Sequence, residues 1–326
     1  MSVLHHTSCT RSTVVRILSH AAVGAALLLT GSATPAAIVT SLRPLGFIAA
    51  AIADGVIPVE VVLPDGASPH NYALRPSDIM RVKQANLLVW IGPELEAFLV
   101  SAASTLPADK RIILANTPTI TSLLMKSNQK FHGKLDRTDK QSSNTKEPGH
   151  HHGKYNMHLW LSPVIAHRTA VAIHDRLTEL MPEKKQQLDD NLQNFSAVLT
   201  KKNKILATML APVSGKGYYV FHDAYGYFEK HYGLTPLGYF TINPEIQPGA
   251  QALHKIRIQL IKQKAICIFA EPQFRPAIIK AVARGTGVHI GTLDLLGSYI
   301  SLDKDSYLRF LLQLTNQYLS CLEKNI

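Results

Sequence analysis

Three histidines stand where short apolar runs give way to polar turns. They are His70 in Ser68-Pro69-His70-Asn71-Tyr72, His158 in Asn156-Met157-His158-Leu159-Trp160, and His222 in Val220-Phe221-His222-Asp223. Imidazole nitrogens suit Zn2+, with a fourth position left to water or a carboxylate. Asp294, in Thr292-Leu293-Asp294, also closes an apolar run and is the carboxylate candidate for that position. A single histidine at a strand end is more often a packing or surface residue; three in equivalent places turn the reading toward a metal site. A second set, His132, His150, His151 and His152, falls in a polar stretch. It reads as an auxiliary, weaker metal-catching arm, against the plainer alternative of a polar linker. Glu271, in Phe269-Ala270-Glu271-Pro272, is either a general base beside a metal or a polar partner at a lobe interface, and the second is preferred. His167 and His174 read as structural or exposed, and the aromatic residues around His222 as core.

The elements that must position these side chains alternate. Apolar runs at Ile38–Ser41, Val59–Leu63, Leu87–Ile91 and Arg111–Leu114 read as strands, with helical stretches between them. The order recurs later, with strands at Gly217–Phe221, Leu237–Ile242, Ala265–Ala270 and Val288–Leu293 and a last helix at Ser306–Leu322. Strand–helix alternation with continuously apolar strands predicts parallel sheets buried on both faces. In such sheets ligands bind beyond the carboxyl ends of the strands, where His70 and His222 lie. Pro182 opens a long helix in which Leu188, Leu192, Phe195, Leu199, Leu206 and Leu210 follow three- and four-residue spacing, with a gap at Lys202 and Asn203. The expected organisation is an α/β chain of two lobes joined by that helix. Residues 37–162 form the first lobe, with a polar loop over 127–155; 163–211 form a helical connection containing the long helix over 182–211; 212–326 form the second lobe.

Composition narrows the function. The 326 residues are 46% hydrophobic and 17% charged, which suits a sizeable core and excludes disorder over most of the length. The net charge of +11 is spread without a dense basic stripe, so no nucleic-acid partner is expected. No run reaches the ~18 apolar residues of a spanning helix, so stable membrane insertion is not expected. No phosphate loop or dinucleotide fingerprint is present. Arg11 and Arg16, the short apolar stretch Ala21–Leu29 and the small residues that follow make 1–36 a secretory signal peptide. The mature chain then keeps Cys267 and Cys321, either paired or as two unrelated core thiols.

Longer motifs carry a resemblance over nearly all of the mature chain. Val62-Leu63-Pro64-Asp65-Gly66-Ala67-Ser68, Asn156-Met157-His158-Leu159-Trp160-Leu161-Ser162-Pro163, Phe221-His222-Asp223-Ala224-Tyr225, Asn243-Pro244-Glu245-Ile246-Gln247-Pro248-Gly249 and Phe269-Ala270-Glu271-Pro272-Gln273-Phe274 are the stretches concerned. With these the chain resembles the zinc-binding members of the bacterial metal-binding solute-binding family, which serve high-affinity zinc ABC uptake. The resemblance implies two lobes joined by a long rigid helix, Zn2+ held between them by His70, His158 and His222, and a Cys267–Cys321 disulfide. It also implies a periplasmic, non-enzymatic protein, expected as a monomer, whose partner is a membrane permease. Manganese members tend to carry a carboxylate at the place of His222. Pro69 departs from close zinc-type relatives, which often place an acidic residue beside the first histidine. The alternatives are a manganese-binding member of the same family and a secreted zinc hydrolase using a metal-bound water.

Overall fold

The computed structural model describes residues 37–127, 154–241, 244–245, 248–274 and 277–324. The expected signal peptide and His132, His150, His151 and His152 lie outside the described residues.

The first half runs β1 (Ile38–Thr40), α1 (Arg43–Ile52), β2 (Val59–Val61), α2 (Pro76–Gln84), β3 (Leu87–Trp90), α3 (Val100–Ser104), β4 (Arg111–Ile113) and α4 (Pro118–Thr121). Two long helices follow, α5 (Pro163–Leu180) and α6 (Lys185–Leu210). The second half is β5 (Tyr218–His222), α7 (Gly226–Tyr232), β6 (Gly238–Thr241), α8 (Ala250–Lys262), β7 (Cys267–Ala270), α9 (Ala277–Ala283), β8 (His289–Thr292) and α10 (Ser306–Leu322). Two four-stranded parallel sheets result, ordered β2-β1-β3-β4 and β6-β5-β7-β8. The two halves thus share one topology without an evident sequence repeat.

Alternation along the central strands explains their unbroken apolar character, while the edge strands β2 and β8 stay partly exposed and carry Glu60 and His289. Ile38, Leu87 and Val89 enter the same core as Tyr218, Val220, Cys267 and Phe269 of the second sheet. Their neighbours Val39, Leu88 and Trp90 face a separate cluster under α2 and α3, while Tyr219, Phe221 and Ile268 face another under α8 and α9. Side chains of period two are therefore buried on both faces. The shared core also holds α1, α5, α6 and α10. Phe47 of α1 meets Phe310 of α10 with ring centroids 6.0 Å apart, and Phe195 of α6 meets Tyr307 at 6.1 Å.

The long helix covers the expected range, with a 3-10 turn at each end. Single turns of 3-10 helix occupy Pro182–Lys184 and Ala211–Val213, and the α-helical part spans 26 residues, about 39 Å. The gap in its apolar stripe has a polar cause: Asn203 Oδ1 accepts a 2.6 Å hydrogen bond from the Tyr232 hydroxyl. Helix α2 begins at Pro76, with Asp78 accepting from the Arg75 N–H at 2.9 Å. The segment after Gly92-Pro93 is turns and a 3-10 stretch before α3, since the Glu96 carboxylate folds back to accept the Gly92 N–H at 2.9 Å.

Cys267, which starts β7, and Cys321, near the end of α10, form a disulfide across 54 residues of sequence. Closing a loop of that length contributes about 4 kcal/mol in the chain-entropy account. Cys267→Ser with Cys321→Ser is expected to lower the thermal midpoint by several degrees while leaving the secondary structure intact. Circular dichroism melts check this; an unchanged midpoint would contradict it.

Candidate metal centre

His158 and His222 adjoin regular structure, whereas His70, expected just past the second strand, lies nine residues beyond β2. His222 is the last residue of β5, paired with Thr241, and lies one residue further into the strand than expected. The Asp223-Ala224-Tyr225 turn then intervenes before α7, with the Ala224 N–H bonded to His222 O at 2.8 Å. His158 precedes the 3-10 turn Leu159–Leu161, whose Leu159, Trp160 and Leu161 are buried. His70 lies on the segment joining β2 to α2, its N–H 3.3 Å from Ser68 Oγ.

The three imidazoles converge. One nitrogen from each of His70, His158 and His222 lies within 4.8 Å of the others. Ring centroids stand 5.5 Å apart for His70–His158, 5.6 Å for His70–His222 and 5.0 Å for His158–His222. His158 and His222 are buried and His70 half-buried. Among the described residues this is the one group of three or more histidine, cysteine or acidic side chains so gathered.

Hydrogen bonds on the far side fix the tautomers. Asn156 Nδ2 donates to Asp223 O at 3.0 Å, so Asn156 Oδ1 must be the acceptor that faces His158. That oxygen takes the His158 backbone N–H at 3.0 Å and lies 2.8 Å from His158 Nδ1, which therefore carries the proton. His222 Nδ1 lies 2.7 Å from Glu271 Oε1, with both side chains buried, and likewise carries its proton. The two Nε2 atoms face each other 3.2 Å apart. Ring nitrogens this close need a proton or a metal ion between them. Tetrahedral zinc with bonds of ~2.0–2.1 Å places its ligand nitrogens about 3.3 Å apart. The observed separation matches that geometry.

Burial, reinforced by the neighbouring His222 and His70 rings, holds the His158 pKa well below the ordinary histidine value of 6.5. The ring is therefore neutral at neutral pH, the form that binds metal. Glu271 acts here through His222: a carboxylate on the far nitrogen orients the ring and strengthens it as a donor. Neither Asn156 nor Glu271 was singled out from sequence for this role. The available signals were the position of Asn156 two residues before His158 and that of Glu271 at the same sheet edge as His222.

The family model for periplasmic zinc-uptake complex component A matches residues 38–321. The chain belongs to that family. The match runs from the first residue of β1 to Cys321, so both sheets, α6 and the disulfide lie within it. A high-affinity zinc uptake system protein ZnuA of Yersinia pestis is 58% identical over 311 residues, covering 94% of this chain and 98% of the relative. One of Haemophilus ducreyi is 43% identical, covering 87% and 93%. Among solved structures, a zinc-bound ZnuA deletion mutant superposes with TM-score 0.70 at 24% identity, covering 90% of this chain and 100% of that one. The periplasmic zinc binding protein TroA of Treponema pallidum gives 0.68 at 19% identity, covering 88% and 99%. The two structures establish a common fold.

Asp294 is not part of the gathered group. Its carboxylate turns into its own loop, accepting the N–H groups of Leu296 and Gly297 at 3.1 Å and of Ser298 at 2.8 Å. Gly297, at φ +63°, lets the loop curl tightly enough to make these bonds. His167 and His174 lie elsewhere, on Ser196 Oγ and on Asp175 and Asp189.

Two outcomes follow. Glu271→Gln is expected to weaken zinc binding roughly tenfold to a hundredfold, with little change in the melting of the metal-free protein; calorimetric titration checks this, and wild-type affinity would contradict it. The second concerns acid. Unfolded His158 titrates near 6.5 and folded His158 well below it, so below about 6.5 the unfolded chain binds more protons. Stability of the metal-free protein should therefore fall as pH drops from about 6.5 toward the folded value. His158→Asn should flatten that dependence in melts between pH 7.5 and 5; an unaltered slope would contradict it.

Proposed function

We propose that this chain is the zinc-capturing periplasmic component of an ABC uptake system, taking Zn2+ between its two lobes and delivering it to a membrane permease. His70, His158 and His222 are the proposed ligands. The observation that carries the reading is the convergence of three ring nitrogens within 4.8 Å, with the Nε2 atoms of His158 and His222 3.2 Å apart. Membership of the zinc-uptake family supports it. Pro69 has no side-chain donor and Asp294 is engaged by its own turn, so the fourth position falls to solvent. Three imidazoles favour Zn2+ over Mn2+, which prefers oxygen. The role is binding, not catalysis: Glu271, the carboxylate nearest to serving as a base, is engaged by His222 Nδ1. Residues 1–36 are proposed as the cleaved export signal, and His132, His150, His151 and His152 as an auxiliary arm separate from the primary site. No described helix is long and apolar enough to cross a membrane, which suits a component that meets its permease from outside the bilayer.

Titration of chelator-stripped protein is expected to give one tight Zn2+ site per chain. His222→Ala should lose more affinity than Asp294→Ala, and His222→Asp should shift preference toward Mn2+. Wild-type zinc affinity in His222→Ala, or tighter Mn2+ than Zn2+ binding in the parent, would overturn the assignment.

A further inference from the structure

Two of the three imidazoles have no freedom to leave a bound ion. The turns carrying His158 and His222 are bonded to each other through Asn156 Nδ2 and Asp223 O at 3.0 Å. The Tyr227 hydroxyl donates to Asn156 O at 2.8 Å and itself accepts the Met125 N–H at 3.0 Å. Beside them, Trp160 Nε1 donates to Leu295 O at 2.8 Å, and the Tyr307 hydroxyl donates to Trp160 O at 2.8 Å. Behind these bonds lies a single apolar core shared by both sheets, which would have to be torn for the lobes to separate.

His70 is different. It is half-buried, and no strand or helix interrupts the segment between Val61 and Pro76. Val62 and Leu63 anchor its start in the cores, with their N–H groups on Thr40 O and Ser41 O, and Ala67, Tyr72 and Leu74 pack against the cores; from Pro64 onward its links to other loops are polar. At its start Asp65 pairs with Arg43 Nη1 at 3.1 Å, and the same guanidinium donates through Nη2 to Ile300 O, on the loop between β8 and α10. Next to His70, Asn71 Nδ2 donates to Glu245 Oε2, beyond β6. At its far end the Tyr72 hydroxyl donates to Asp78 of α2 at 2.8 Å. The first two ties reach loops of the opposite sheet, one beyond each edge strand; the third stays on the His70 side.

We infer that the segment over residues 64–75 is a strap that carries His70 onto and off the ion while His158 and His222 stay fixed, and that the Arg43 and Asn71 ties set how long Zn2+ is retained. The inference rests on the zinc site proposed above. Arg43, Asn71 and Glu245 are positioning residues in it. Tyr72 and Asp78 form the pivot, because their bond joins the strap to the helix that follows. Gating of this kind, by a loop over a rigid scaffold, leaves the ligand set unchanged and alters mainly the rate of release.

The test is stopped-flow release of Zn2+ from the purified protein into excess chelator. Asn71→Asp places two carboxylates face to face and is expected to quicken release roughly fivefold. Asn71→Asp combined with Glu245→Gln restores an amide–carboxylate pair in the opposite sense, and release should return toward the wild-type rate. Arg43→Gln should also quicken release, with Arg43→Lys falling between it and wild type. Melting of the metal-free variants separates the proposal from a merely structural role, which would lower the midpoint without the rescue by exchange. Wild-type release rates in both Asn71→Asp and Arg43→Gln would overturn the strap alone. A wild-type chain that binds no Zn2+ in the preceding titration would overturn the zinc-site reading and this inference with it.

Discussion

Two buried imidazoles are pinned with their Nε2 atoms 3.2 Å apart, an arrangement that needs a proton or a metal ion between the two nitrogens. The rest of the molecule can be understood as the means of holding that arrangement. Asn156 and Glu271 take the far nitrogens of His158 and His222, and each is fixed in turn, Asn156 by Asp223 O and Glu271 by burial beside His222. The metal-free state is thereby kept poised for a cation, so that capture is matched to neutral pH and opposed by acid.

Holding two rings so firmly needs a scaffold that does not yield. The parallel sheets supply the strand ends, and the shared core of α1, α5, α6 and α10 joins the sheets into one body. That rigidity conflicts with release. A carrier must let its cargo go, and a scaffold whose lobes share a core has little room to open. The conflict is met where regular structure is absent, on the segment bearing His70, whose links to the loops of the opposite sheet are few, polar and near the surface.

Much of this was legible in the sequence because buried parallel strands and long amphipathic helices advertise themselves. The strand runs, the helix at Ser306–Leu322 and the three histidines at segment ends were all readable from residue types and spacing. Local polar choices were not. Asp294 looked like a free carboxylate at a strand end; whether it reaches a metal or folds into its own turn depends on the backbone path through Gly297. Glu271 looked equally suited to a base or an interface partner, because only the three-dimensional meeting of β5 and β7 brings it to His222 Nδ1. The polar break at Asn203 in an apolar stripe likewise had no meaning until Tyr232 arrived from another helix. Periodicity reports which face is buried; it does not report which partner a buried polar atom finds.

The central claim is that His70, His158 and His222 together hold one Zn2+ ion through their ring nitrogens. X-ray absorption at the zinc edge of the one-to-one complex addresses it most directly, since imidazole rings give a recognisable multiple-scattering pattern. The account predicts three imidazoles and one oxygen of solvent, all at about 2.0–2.1 Å. A fit requiring fewer than three imidazoles, or a carboxylate in place of one of them, would contradict it.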